Sequence, residues 1–560
     1  MAPLAGQDGH MQKERIAKNK APLFLAISVV FVLSLPVLQE GFFYSHDLGF
    51  HLQRIESIAN GFSRGEWFIR IYKELYDGYG YGAPIYYPHL FLYVPALLHY
   101  VGVPVYHAYR IFVVLVNCLT VGLSYYGYTK LSGSKEIGFF AAILYSTATY
   151  RLVDLYTRAS VGEYLALTFL PLFLLALLDI LRGKQNRWLL LAISVSCVLQ
   201  SHILSFVILI MMGLGCVMFY LPALKRLSVW KALAQAMVVF VLLNAWFLLP
   251  FLEGNMLPIY SGSDQFEETG MLAAQIFDVL TKGAAGSEML ETVSITKTPG
   301  SLLLLGMFFL LYCLVMKRQN LKELVRKHYL LAVCALIGGI ALIASTELFC
   351  WDLLLKVEPI GSLFRKMQFA WRFNIVTVLF WSFASAYGYA AILKEAKDAK
   401  LIVALLAVVS VVIFVNQYIQ GGKPFAPEPY MDTLYLMEGN TIDSREALES
   451  NVSEIRCEDY CRMESQVSLQ YQIVAKESDE QRPYLDVPIA YYPGYVAYVD
   501  GVAQETTLSP AGVVRVELPK TEGYLEVTYR EKTSYLICDA VSLLTLFALT
   551  GMWVWKVRKK

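Results

Sequence analysis

Charge is scarce in this chain: 17% of its 560 residues are charged and 56% are hydrophobic. Soluble domains carry about 25% charged and 45–50% apolar residues, so an ordinary soluble globular protein is excluded. Charge of one sign is scarce too. The 47 basic and 46 acidic residues nearly cancel, and the basic ones fall in short clusters between apolar runs. A nucleic-acid partner, which needs a concentrated basic face, is therefore excluded. Nine cysteines, mostly single and inside apolar stretches, give neither a disulfide scaffold nor a zinc-type spacing. No small-residue cleavage site follows the first apolar run, which reads as an anchor rather than a cleaved signal peptide. The opening MAPLAGQDGHM reads as a linker ending in a second Met, Met11, and residues 1–10 carry no weight in the fold argument.

Long apolar runs are abundant, and crossing a bilayer takes roughly 20 residues. About twelve spans are predicted, near 22–38, 106–129, 137–150, 164–181, 188–200, 203–221, 232–252, 299–316, 329–346, 370–393, 400–418 and 535–555. The shorter ones, 137–150 and 188–200, predict tilted, broken or partly buried helices. Basic clusters orient the chain, because Lys and Arg collect on the cytoplasmic side. Those around Lys13–Lys20, Arg182–Arg187, Lys225–Lys231, Lys317–Lys327, Lys394–Lys400 and Lys556–Lys560 all fall on one side when twelve crossings are counted. Both termini are then cytoplasmic. Counting the Pro-interrupted run 89–103 as a further span would invert every later loop, so it is expected to be re-entrant or interfacial.

The predicted organisation is a cytoplasmic tail (1–20), a transmembrane domain (21–418), an extracytoplasmic domain (419–533), and a last helix with a basic tail (534–560). Outer loops fall at 39–105, 151–163, 253–298 and 347–369. The 419–533 domain is entered through the Pro-rich KPFAPEPY and then alternates apolar and polar residues, the period of half-buried strands. Asp500–Gly501 marks a hairpin, and a small β-sandwich is expected. Cys457 and Cys461 lie within it, as a local disulfide or as two free thiols.

Chemistry concentrates in the outer loops. In HDLGFHLQRIE, His46 and Asp47 precede a helix on which Asp47, His51 and Arg54 fall at i, i+4 and i+7, one face. A carboxylate there can take a proton from an incoming hydroxyl, or merely cap the helix with Arg54 neutralising it. Seven tyrosines lie between Tyr72 and Tyr93, among glycines 78, 80 and 82. Tyr79, Tyr81, Tyr86 and Tyr87 suit a groove for a sugar or lipid head group, or form an aromatic belt with no ligand. Arg158 can hold a phosphate bidentately, oriented by Glu163, or the two form an internal ion pair. His202 sits at a break between two short spans, as a functional group or a hydrogen-bonded structural one. In FRKMQFAWRF, Arg365, Lys366 and Arg372 crowd an outer end against the positive-inside trend and call for an anionic partner, a lipid-linked phosphate or an ordinary lipid phosphate.

Together the motifs HDxxxHxxRI, GYGYGxPIYYP, YxRxxxxEYxAxxxLPL, SH and QFxWRF, followed by YYPGYVAYVDG and one terminal span, resemble bacterial YfhO-like membrane proteins. They also resemble the related integral membrane family described by a 6-pyruvoyl-tetrahydropterin-synthase-related region. The likeness runs from about residue 40 to the end, though this chain is shorter than typical YfhO-like proteins. It implies a mainly α, polytopic GT-C-like fold with a small β-sandwich before the last helix. It implies a glycosyltransferase that takes a sugar from a polyprenyl-phosphate carrier at the outer face of a bacterial plasma membrane. The acceptor would be an envelope glycopolymer such as teichoic acid, a polysaccharide or a glycolipid. A donor synthase on the cytoplasmic side and a flippase would be functional partners. By the same resemblance Asp47 takes the place of the base, Arg158 and Arg372 that of the carrier-phosphate site, and Glu163, His202 and Gln368 motif positions without an assigned role. No DxD-like pair occurs in the first loop, so metal independence and no cofactor are expected. Rival readings are a flippase for a lipid-linked sugar, a binding protein whose β domain docks a partner, and a polymerase or ligase using a diphosphate-linked donor.

Overall fold

Apolar segments of this length fold as helices because a backbone removed from water must satisfy its own hydrogen bonds. In a computed structural model, residues 5–39, 45–76, 78–256, 270–278, 297–316, 328–421, 435–437, 440–441, 450, 454–463, 465–475 and 482–559 are described. The helices of eight residues or more are α1 (Ala5–Leu38), α2 (Leu48–Ser63), α3 (Tyr93–Tyr100), α4 (Val105–Ser132), α5 (Lys135–Ser146), α6 (Val161–Leu181) and α7 (Trp188–Ser201). They continue with α8 (Ile203–Phe219), α9 (Leu227–Asn255), α10 (Ser301–Met316), α11 (Tyr329–Ala344), α12 (Asn374–Ile392), α13 (Ala399–Gly421) and α14 (Thr533–Arg558). Each of the twelve predicted spans is helical for most of its length, the one near 137–150 breaking after Ser146. Among the described residues six segments are long and apolar enough to cross a membrane: Val105–Ser132, Val161–Leu181, Leu227–Asn255, Ala370–Ile392, Ala399–Asn416 and Thr533–Arg558. The run at 89–103 forms only the eight-residue α3 and the turns beside it, too short to span. α1 reaches back to Ala5, so the stretch expected as a tail is helical. The KPFAPEPY linker, the 317–327 basic cluster and most of the 253–298 loop lie outside the described residues.

Contacts divide the chain into two units. The first comprises Met1–His51, Tyr106–Met237 and Gln265–Ala426. Its centre is α6, every residue of which is buried, as a helix apolar on nearly every side requires. The short α5 is buried from Ile137 to Ser146, which explains how a 12-residue helix suffices here. α10 and α12 approach closely where Gly306 meets Ser385 and Tyr389, and where a Cβ on Gly388 would strike the Gly306 carbonyl. Small residues at such crossings let helix backbones touch. Polar links tie α1, α4 and α6 internally: Asn117 Nδ2 donates to Ser34 Oγ (3.1 Å) and Thr120 pairs with Thr168 (2.8 Å).

The second unit comprises Leu52–Val105, Val238–Asp264 and Pro427–Lys560. Its strands are β1 (Tyr435–Met437), β2 (Asn440–Thr441), β3 (Glu454–Met463), β4 (Gln466–Ala475), β5 (Tyr484–Ala490), β6 (Tyr495–Val499), β7 (Val502–Gln504), β8 (Thr506–Leu508), β9 (Val513–Glu517) and β10 (Glu522–Tyr529). One antiparallel sheet runs β3-β4-β10-β6-β7 and a second runs β5-β9-β8. Their inner faces, including Leu469, Val487, Val514 and Val527, share one core, the expected sandwich. Asp500 and Gly501, both at positive φ (50° and 78°), make the β6–β7 turn, as a two-residue hairpin demands. Cys457 and Cys461, both on β3, are free thiols.

Candidate active site

The site begins with a local irregularity. After the turn Thr149–Leu152 the chain widens into a π-helix over Val153–Thr157, a form that recurs at functional positions. Ala159 follows at φ 50°, left-handed backbone that a non-glycine residue adopts only where surroundings enforce it. The helix therefore ends with carbonyls of Tyr156, Thr157 and Arg158 needing donors. The turn between α1 and α2 supplies them: Ser45 Oγ donates to Tyr156 O (2.6 Å), His46 N to Thr157 O (3.3 Å) and Asp47 N to Arg158 O (2.9 Å). Two sequence-remote loops are thus sewn together, and Asp47 is set beside Arg158.

Four elements of the first unit build the charged cluster. Arg158 Nη1 donates to Asp154 Oδ1 (2.5 Å) and to Glu163 Oε2 (2.9 Å). The second guanidinium, Arg372, stands with Nε 3.4 Å from the same Glu163 oxygen. Tyr150 donates its hydroxyl to Glu163 Oε1 (2.5 Å). Arg372 is oriented by Nη1 bonds to Met367 O (2.8 Å) and Gln368 Oε1 (3.0 Å), and Gln368 sits at φ 65°. Trp371 supplies a ring beneath the cations, with Arg158 Cζ 4.7 Å and Lys297 Nζ 5.8 Å from its centroid. Arg158 and Glu163 therefore form the internal ion pair that the sequence left open. Both guanidiniums still hold donors in reserve: Arg158 Nε and Nη2 and Arg372 Nη2 make no hydrogen bond among the described residues.

Asp47 differs from the other carboxylates. It is half-buried, and its side chain accepts no hydrogen bond among the described residues. Its backbone begins α2, accepting from His51 N at 3.1 Å, but the carboxylate itself does not cap the helix. Desolvation raises its pKa above the ordinary Asp value; Arg158 and Arg372 oppose that shift and Glu163 adds to it. Removal from water, with Arg158 nearby, lowers the pKa of His46, which keeps that imidazole neutral. Burial, reinforced by Glu163, pushes Asp154 well above the usual carboxylate range despite its bond to Arg158.

The remaining candidates are distributed as follows. His202 caps α8: its Nδ1 accepts from Ser205 N (3.3 Å) and contacts Ser205 Oγ (2.9 Å). His51 is 1% exposed and packs on Phe50. Arg365 pairs with Glu358 and Leu355 O. Arg54, on α2, reaches the second unit's tyrosine-rich loop, where it donates to Pro88 O (2.8 Å), lies over the Tyr87 ring (4.2 Å) and approaches Tyr72 Oη. In that loop Tyr79 is a core residue of the sandwich, 2% exposed, and Tyr81 and Tyr86 pack against the same core. The glycines serve this docking: a Cβ at Gly82 would enter the Tyr492 ring, and Gly78 O accepts from Ser465 N. Packing on the sandwich, not an open groove, accounts for Tyr79. Sequence reasoning passed over Tyr150, Asp154, Lys297 and Trp371 as site residues. A Trp beside Arg372 in QFAWRF was a usable signal; nothing local marks Lys297.

No known family's sequence profile matches the chain, and no curated protein matches it. Solved structures do resemble it. Arabinofuranosyltransferase AftD from Mycobacteria aligns at 13% identity over 72% of this chain and 27% of its own, with TM-score 0.39. The oligosaccharyltransferase of Archaeoglobus fulgidus aligns at 13% over 74% and 57%, with TM-score 0.40. ArnT from Cupriavidus metallidurans, bound to undecaprenyl phosphate, aligns at 12% over 71% and 89%, with TM-score 0.33. This chain thus spans about a quarter of the mycobacterial enzyme and just over half of the archaeal one. Scores of this size describe a loose likeness of fold.

Proposed function

We propose that this chain is a membrane glycosyltransferase moving one sugar from a polyprenyl-phosphate carrier to a hydroxyl of an envelope acceptor, with inversion. Asp47 is the base: it takes the acceptor proton as that oxygen attacks the anomeric carbon. The bond to the carrier phosphate breaks with its electron pair leaving on the phosphate oxygen. The reserve N–H donors of Arg158 and Arg372 receive the charge growing there, the place where preorganised donors act most strongly. With Asp154 held toward its neutral form, two guanidiniums face Glu163 alone, and the surplus positive charge suits an anion. One observation carries this reading: a half-buried carboxylate without hydrogen-bond partners among the described residues lies in the field of two arginines whose donors are not all engaged there. Teichoic acid, polysaccharide or glycolipid as acceptor, cytoplasmic termini and an extracytoplasmic site belong to the same proposal, as does membership among YfhO-like proteins.

The test is transfer by purified protein in nanodiscs, from radiolabelled polyprenyl-phosphate hexose or N-acetylhexosamine to crude envelope polymer. Transfer that persists in EDTA and disappears in Asp47→Asn is expected. Tight donor binding with no turnover in the wild type would replace the enzyme with a transporter for the same lipid.

A further inference from the structure

A second charged cluster lies wholly in the second unit and takes no part in the proposed chemistry. Arg70 is almost fully buried, and each of its nitrogens is engaged. Nε donates to Glu531 Oε1 (2.8 Å), Nη1 to Trp246 O (2.9 Å) and Nη2 to Asp539 Oδ1 (2.5 Å). Beside it is a cavity of about 560 Å³ whose wall includes Trp67, Arg70, Lys73, Tyr529, Glu531 and Asp539. That volume is in the range of small-molecule sites, roughly 300–1,000 Å³. Asp539 is 4% exposed, yet among the described residues its Oδ2 has no hydrogen-bond partner, and neither has the buried hydroxyl of Tyr529. A buried carboxylate oxygen left unpaired costs free energy, so the wall offers an acceptor awaiting a donor.

The charge balance indicates the donor. Arg70 and Lys73 face Glu66, Glu531 and Asp539, and Lys73 is tied to Glu66 at 2.5 Å. The lining therefore carries one excess negative charge, and each nitrogen of its arginine already donates to a carboxylate or a carbonyl. Its rim is apolar. Leu536, Asp539 and Leu543 follow one face of α14, with Leu536 and Leu543 exposed by 55% and 40%, and Trp67 is 57% exposed. α14 is one of the segments long and apolar enough to cross a membrane. We propose that this cavity holds the primary ammonium head of a membrane lipid, its N–H groups donating toward Asp539 and Glu531 and its upper chain lying along Leu536, Leu543 and Trp67.

Native mass spectrometry of the full chain, released from detergent with one added lipid at a time, tests this. The probes are phosphatidylethanolamine, phosphatidylcholine, phosphatidylglycerol and a neutral glucosyl-diacylglycerol. A charge-assisted hydrogen bond corresponds to roughly 10- to 100-fold in affinity, so the ethanolamine lipid should bind at least about tenfold more tightly than its trimethylated counterpart. Asp539→Asn should erase that preference. Leu543→Trp, which adds bulk to the cavity wall at a residue that is not itself a partner of Arg70, should erase it too and decides alone if the Asp539 variant does not fold. Equal binding of ethanolamine and choline lipids, tighter binding of the glycolipid or the anionic lipid, or a preference that survives Leu543→Trp overturns the proposal.

Discussion

Two buried arginine clusters, one in each unit, are built from the same residue types and end in opposite electrostatic states. Around Glu163, two guanidiniums share one carboxylate and keep donors in reserve, while burial holds Asp154 toward its neutral form. Around Arg70, one guanidinium meets two carboxylates and a carbonyl with each of its nitrogens engaged, and among the described residues it is a carboxylate oxygen that lacks a partner. The first arrangement has room for an anion, the second for a hydrogen-bond donor. Counting arginines and acids along a sequence does not distinguish them; counting which nitrogens are engaged does.

The sharpest way to break the contrast is at Asp47. Asp47→Asn should lower transfer by roughly 10²–10⁴, the usual contribution of a positioned base. Stability should move the other way. Burial raises the folded pKa of Asp47, so the folded state binds the proton more tightly than the unfolded chain. The ionised form therefore weakens folding above that pKa, and the Asn variant should melt no lower than wild type at neutral pH. A fall in Tm alongside the loss of activity would make Asp47 structural.

Arg158→Ala removes the cation between two buried carboxylates and should cost about 3–5 kcal/mol, as broken buried pairs do, visible as a large drop in Tm. Asp154→Asn should restore part of that loss in the double variant, since Asp154 is already biased toward neutrality. A melting temperature unchanged in Arg158→Ala would show that the pair is not holding the π-turn in place.

The pH profile sharpens the same point. Transfer should rise with pH through an acid limb lying above the ordinary Asp pKa of about 3.9, because only deprotonated Asp47 accepts a proton and its pKa is raised. A rate flat down to that value would remove Asp47 as the base. The smallest effect belongs to Arg54→Lys. A lysine loses the forked contact to the carbonyls and the cover over Tyr87, at roughly 1 kcal/mol, with the donor KM unchanged. A raised donor KM would return Arg54 to the substrate-binding set.

Much of the architecture was legible from the chain alone, because periodicity and hydropathy are local properties. Twelve apolar runs became helices, the alternating stretch became a sandwich, and Asp500–Gly501 made its turn where only left-handed backbone closes a two-residue hairpin. Candidate chemistry was legible in part: the Asp47, Arg158, Glu163 and Arg372 motifs do lie in one cluster. Their partners were not. Whether Arg158 binds Glu163, or Arg54 the carbonyls of the tyrosine-rich loop, depends on which donors and acceptors packing leaves unpaired. The strap from Ser45 to Tyr156 joins residues 111 apart, and Lys297 reaches Trp371 with no motif to announce it. α6, with the hydropathy of a lipid-facing span, is instead surrounded by protein on every side, since an apolar surface is satisfied equally by lipid and by other helices. Composition thus determined which segments leave water. Only the tertiary structure decided which charges they carry with them, and whether those charges meet a partner, because pairing follows from packing and packing is not written in any one segment.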